Sequence, residues 1–168
     1  MGEIKKFMKN YILSLFILLY CLSSYSQSSL PIYKLKSLDG TMVSTENLAA
    51  KDEVLVISLW ATWCVPCINE LDAIQENYAD WQEETSFKLV AISIDNARTS
   101  SRVKPLVNGK EWDYEILLDT NQDFKRAVNA NTVPHVLIVK NNKILYSHSG
   151  YTPGSEIDLY EKVKEFAQ

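Results

Sequence analysis

Internal repeats, low-complexity tracts and long runs of one charge are all missing from these 168 residues. Their absence excludes a solenoid, a dominant disordered tail and a polyelectrolyte. Cysteine is scarce at three residues and histidine at two. So few cysteines build no disulfide framework of the kind that staples small secreted scaffolds. Nor is there an apolar run of the about 20 residues that crosses a bilayer comfortably. The formal charge of −4 falls to −6 once the basic start is set aside, so nucleic acid is not a partner for this surface. What is present is an ordinary globular composition, 46% hydrophobic and 23% charged, enough for one domain with one core.

The first residues read as a targeting segment. Lys5, Lys6 and Lys9 make a positive start, Tyr11 to Leu22 is the apolar stretch, and Ser24-Tyr25-Ser26 offers small residues at a cleavage spacing. We expect a signal peptide over 1–26, cleavage near Ser26, and a domain spanning 27–168 that works in an exported, periplasmic setting. Two readings compete: an uncleaved leader, and membrane tethering through an acylated Cys21. Tyr20 is larger than the residue that a lipoprotein signal takes before its cysteine.

From Leu30 the chain alternates strand-like and helix-like stretches. Ile32–Leu35 and Thr41–Val43, joined by Asp39-Gly40, predict an edge ribbon. Val54–Trp60 is a nearly continuous apolar run, as a central strand buried on both faces requires. Pro66, then Ile68, Leu71, Ile74, Tyr78 and Trp81 at spacings of three and four, predict a helix from about Cys64 to Glu83. Further strands are expected at Leu89–Ile94, Tyr114–Leu118, Val136–Val139 and Ile144–Ser149. Short helices are expected within Thr99–Lys110, limited by Pro105 and Gly109, and at Gln122–Asn129. A closing helix, Ser155–Phe166, should be capped by Ser155 and carry Ile157, Tyr160, Val163 and Phe166 on one face. The fold class is α/β, a mixed sheet between helices.

Chemistry concentrates in Trp63-Cys64-Val65-Pro66-Cys67. A thiol is a good nucleophile near neutrality only when its thiolate is stabilised, and a helix N-terminus does that with free N–H groups and the helix dipole. Cys64 takes that position as nucleophile, and Cys67, one turn on, is placed to resolve the mixed disulfide it forms. No cofactor is needed. The competing reading is a zinc half-site, which lacks partners: His135 and His148 stand in no zinc-like spacing. His135 reads as a local packing residue.

The run Leu59-Trp60-Ala61-Thr62-Trp63-Cys64-Val65-Pro66-Cys67, with Thr132-Val133-Pro134 before a strand, resembles the thioredoxin superfamily. The longer interval from Cys67 to Pro134 and the leader resemble its TlpA/ResA-like exported branch. The resemblance implies a thioredoxin-like fold with an N-terminal β-ribbon and a helix-strand unit inserted after the redox helix and second core strand. It implies that Cys64 and Cys67 form the redox disulfide and that Pro134 is a cis-proline, leaving the Val133 backbone free to pair with substrate, while Trp63 shields the rim. Glu70 matches an acidic position implied to accept a proton; its competing reading is a first-turn glutamate facing water. Ser58 stands where plain thioredoxins carry a buried aspartate, which leaves Glu70 as the acceptor.

The resulting expectation is a monomeric thiol-disulfide oxidoreductase that reduces disulfides of exported proteins. By resemblance, apocytochrome c is among the substrates, and a membrane thiol transporter of the DsbD/CcdA kind supplies electrons. The alternatives are a periplasmic thiol oxidase or isomerase, and a copper metallochaperone using the same cysteines. A peroxidase fits less well, because Ala61 replaces the threonine of a Thr-x-x-Cys site.

Overall fold

The computed structural model describes residues 28–168, so the leader, Cys21 and the cleavage position lie outside the described residues. Seven strands form one sheet: β1 Lys34–Ser37, β2 Met42–Ser44, β3 Val54–Trp60, β4 Lys88–Ser93, β5 Glu115–Leu118, β6 His135–Lys140 and β7 Lys143–Ser149. Their spatial order is β2-β1-β5-β4-β3-β6-β7. The β1–β2 ribbon forms one edge, and β5 joins it to the parallel core by pairing antiparallel to β1 and parallel to β4. Strand β3 lies parallel to β4 and antiparallel to β6, and each of its residues is buried, as its unbroken apolar run requires.

Register sorts the side chains by face. Leu59, Ile92 and Leu117 share one row, whereas Ser58, Ala91, Ile116, Val136 and His148 share the next, which points to the opposite side. Helix α1, Val65–Thr85, covers the Ser58 side with Cys67, Glu70, Leu71, Ile74, Tyr78 and Trp81 inward. Helix α2 is Val103–Lys110, α3 is Asp123–Ala127 and α4 is Ser155–Ala167. Trp81 of α1 stacks on Tyr160 of α4, with centroids 4.3 Å apart and planes 4° from parallel. On the other side, Phe124 of α3 meets Tyr33 edge-on at 6.1 Å.

Element ends depart from the sequence reading for local reasons. Gly154, not Ser155, precedes the first turn of α4, at φ 99°. The Ser155 hydroxyl instead donates back to the Thr152 carbonyl at 2.8 Å, so it closes the preceding turn. Seating Tyr160 on Trp81 turns Leu159, Tyr160 and Val163 inward and leaves Ile157 47% exposed, contrary to the expected stripe. Helix α2 runs past Gly109 and stops where Glu111 turns left-handed at φ 54°. Helix α3 is shorter than expected because Gln122 and Asn129, at φ 58° and 56°, both leave helical space.

Candidate active site

Strand β3 ends at Trp60 and delivers the chain to the cysteines over a loop held from below. The Thr62 N–H and hydroxyl donate to the two carboxylate oxygens of Asp95 at 2.8 and 2.7 Å, and the Ser93 hydroxyl donates to the same carboxylate at 2.8 Å. Burial works against ionising Asp95, but these hydrogen bonds outweigh it and hold the carboxyl below its ordinary range. Cys64 then bonds from its N–H to the Ala61 carbonyl at 3.0 Å and occupies the N-cap of α1 with extended backbone. Pro66 lies in the first turn, where no intrahelical N–H is required.

Cys64 and Cys67 are joined as a disulfide with Cα atoms 5.3 Å apart. Their surroundings differ. Cys64 is 5% exposed, at the surface end of the bond, whereas Cys67 is completely enclosed. Trp63 and Val65, 57% and 65% exposed, flank Cys64 and form an apolar rim.

Strand β6 runs antiparallel to β3 and begins opposite Leu59, so the residues just before it lie at the same sheet end as the cysteine loop. The Val133–Pro134 peptide bond there is cis. The Pro134 carbonyl accepts from Gly150 N–H at 2.9 Å. Among the described residues neither the N–H nor the C=O of Val133 has a hydrogen-bond partner.

Three residues after Cys67 on the sheet-facing side of α1, Glu70 is buried, not turned to water as a first-turn glutamate would be. It accepts from the Ser58 hydroxyl at 3.2 Å. Its second oxygen lies 3.7 Å from Nε2 of His148. His135 sits in the Leu59 row, on the opposite face from Glu70, with Nδ1 2.7 Å from the Ser149 hydroxyl. Burial, then the neighbouring His148, pushes the His135 imidazole below its ordinary pKa. Trp60 packs edge-on against Trp112 at 5.1 Å in the core. Among the described residues no group of three or more His, Cys, Asp or Glu is placed to hold a metal ion, and no helix is long and apolar enough to cross a membrane.

Sequence reasoning named the cysteines, Trp63, Glu70, Val133 and Pro134, and the fold brings them to one end of the sheet. It did not single out Asp95, and it weighed His148 only as a zinc ligand out of spacing. Asp95 left a faint signal, a polar Ser93-x-Asp95 pair ending an apolar strand; His148 left none, being 78 residues from Glu70.

The AhpC/TSA family matches the chain over residues 27–148. Sporulation thiol-disulfide oxidoreductase A of Bacillus subtilis is 25% identical over 104 residues, 61% of this chain and 61% of that protein. Thiol-disulfide oxidoreductase ResA of Oceanobacillus iheyensis is 27% identical over 116 residues, 67% of this chain and 58% of that protein. The chain thus spans about three fifths of the length of these curated relatives. Among solved structures, a thioredoxin-like protein from Porphyromonas gingivalis is 50% identical with a TM-score of 0.72, covering 82% of this chain and 91% of that one. StoA from Bacillus subtilis shares the fold at 21% identity and a TM-score of 0.63, covering 83% and 98%.

Proposed function

The chain belongs to the AhpC/TSA family and has a thioredoxin-like fold, and from that premise we propose that it is an extracytoplasmic thiol-disulfide oxidoreductase that reduces disulfides of exported proteins. The observation that carries this reading is the Cys64–Cys67 disulfide at the N-terminus of α1, with Cys64 5% exposed and Cys67 fully enclosed.

That asymmetry divides the roles of the two cysteines in the cycle. With the pair as a dithiol, an extended substrate segment lies against the unpaired backbone of Val133 and the apolar rim of Trp63 and Val65, as in strand addition. The Cys64 thiolate, favoured by the helix N-terminus, attacks one substrate sulfur; the other leaves as a thiolate and takes a proton from water. Cys67 loses its proton to Glu70 and attacks Cys64. That closes the internal disulfide, breaks the intermolecular one and frees the reduced substrate. A membrane thiol transporter of the DsbD/CcdA kind restores the dithiol, and apocytochrome c is a fitting substrate because its haem-attachment cysteines must be reduced. The names of the relatives support thiol-disulfide exchange, and Glu70 favours the reducing direction: a buried carboxylate disfavours thiolate and so destabilises the dithiol state.

The test is turnover of a protein disulfide by the full chain with a dithiol donor, set beside Cys64→Ser. Thiol release that depends on Cys64 is expected. Equal release from both proteins contradicts the reading.

A further inference from the structure

His148 lies outside the cycle just described, yet it is the basic group that faces Glu70. The carboxylate side chain is 2% exposed, and among the described residues no lysine or arginine lies within ion-pair reach of it. A buried carboxylate held this way needs a partner or a proton. Ser58 supplies one hydrogen bond. The remaining oxygen faces Nε2 of His148 at 3.7 Å, too long for a hydrogen bond and close enough for strong coupling. Nδ1 of the same ring is buried without a partner, so the ring engages the site through Nε2. His148 lies on edge strand β7 in the same row as Ser58, and its side chain is 22% exposed, so it links the enclosed carboxylate to water.

We propose that His148 is a positioning residue for the resolving step, sharing with Glu70 the proton that Cys67 gives up and passing it to solvent. The inference rests on the redox reading above. In balance, the Cys67 thiol gives its proton to Glu70 and its sulfur bonds to Cys64. The Cys64–substrate bond breaks, the substrate leaves as a thiolate, and the proton moves from Glu70 through a bridging solvent water to Nε2 of His148 and then to bulk water. Imidazole suits the task because its ring nitrogen can both take up and release a proton.

Other titratable groups surround the pair. Tyr146 on β7 lies 5.6 Å from His148, ring to ring. Burial first, then Asp72 and Glu70, push the Tyr114 phenol well above its ordinary range. Burial, the Glu156 hydrogen bond, and then Glu70 and Glu76 push Tyr151 up to about 12. Tyr114 and Tyr151 therefore stay neutral through the working range. His135, on β6, faces the other side of the sheet.

The experiment reads the resolving step alone. The reduced full chain is treated with 5,5′-dithiobis-(2-nitrobenzoate), which loads Cys64 with one thionitrobenzoate; its release by Cys67 is then followed by stopped flow from acid to alkaline pH. His148→Gln is expected to slow release about tenfold or more near neutrality, converging with the wild type in alkali, where hydroxide removes the proton. Glu70→Gln should slow it similarly, and the double variant should be no slower than Glu70→Gln. An unchanged His148→Gln profile, or effects that multiply, overturns the inference. Independently of any folding defect in a His148 variant, the imidazole nitrogen NMR shifts of His148 should differ between wild type and Glu70→Gln; identical shifts overturn it too. Second release that persists in Cys67→Ser defeats the redox reading itself, whereas Cys67-dependent release indifferent to His148 defeats only this inference.

Discussion

Cys64 and Cys67 differ by one turn of helix and by almost everything a sulfur responds to. The first sits at the helix N-terminus and keeps 5% of its surface exposed, and the second is fully enclosed one turn before the buried Glu70. Replacing Cys67 with serine should therefore leave the attack intact and stop the cycle at the mixed disulfide. Pull-down from cells, with non-reducing gels as the readout, should show covalent adducts that Cys64→Ser lacks; equal adducts in both contradict the division of labour. Asp95 makes a second prediction. Its folded pKa is depressed, so its contribution is present in full above the ordinary value of about 3.9 and is lost as pH falls through the folded value. Asp95→Asn should cost about 1–2 kcal/mol in urea unfolding at neutral pH, with the gap to wild type narrowing in acid; a gap independent of pH contradicts the argument. At this scale the cysteines were legible because spacing and neighbours announce them. Asp95 and His148 were not, because each gains its role from a partner that only the fold supplies, Thr62 at a distance of 33 residues and Glu70 at 78.

Among the elements, α1 carries both the chemistry and much of the core, and its two ends are built differently. Its start is placed by the loop that Thr62 ties to Asp95, and its end is Ser86 in left-handed backbone at φ 54°, with the Ser86 N–H bonded to the Gln82 carbonyl. Serine is strained in that region and glycine is not, so Ser86→Gly should raise stability by about 0.5–1 kcal/mol, seen as a higher denaturant midpoint. A lower midpoint would show that the flexibility added to the unfolded chain outweighs the relief. Along its length the helix docks on α4 through Trp81 and Tyr160. Trp81→Ala should cost about 3–5 kcal/mol in the same assay, while a cost under 1 kcal/mol would mean the stack is not what joins the two helices. Long periodic segments such as α1 and β3 could be read in advance because every turn repeats the signal. The phase of α4 could not. Its apolar residues fit two overlapping stripes, and the aromatic pairing with Trp81, not the periodicity, selects the one that exposes Ile157.

For the whole molecule, the sheet collects at one end residues that are far apart in sequence: the β3 loop with its cysteines and the cis-proline segment before β6, with Glu70 and His148 beneath. The alternation of elements made the α/β architecture and the edge ribbon readable, and the family resemblance implied the inserted helix-strand unit. The antiparallel pairing of β1 with β5 was not readable, since four-residue strands carry too little pattern to specify a partner. The central claim is that this arrangement makes Cys64–Cys67 a reducing couple, because a buried carboxylate one helical turn from the enclosed cysteine destabilises the dithiol. The most direct measurement is the equilibrium between dithiol and disulfide in the purified full chain against graded thiol/disulfide buffers, with metal content determined on the same sample. The account predicts a metal-free couple with a potential near or below that of thioredoxin, about −270 mV, rising in Glu70→Gln. A potential near the about −120 mV of a strong thiol oxidant, or stoichiometric copper on the two sulfurs, would contradict it.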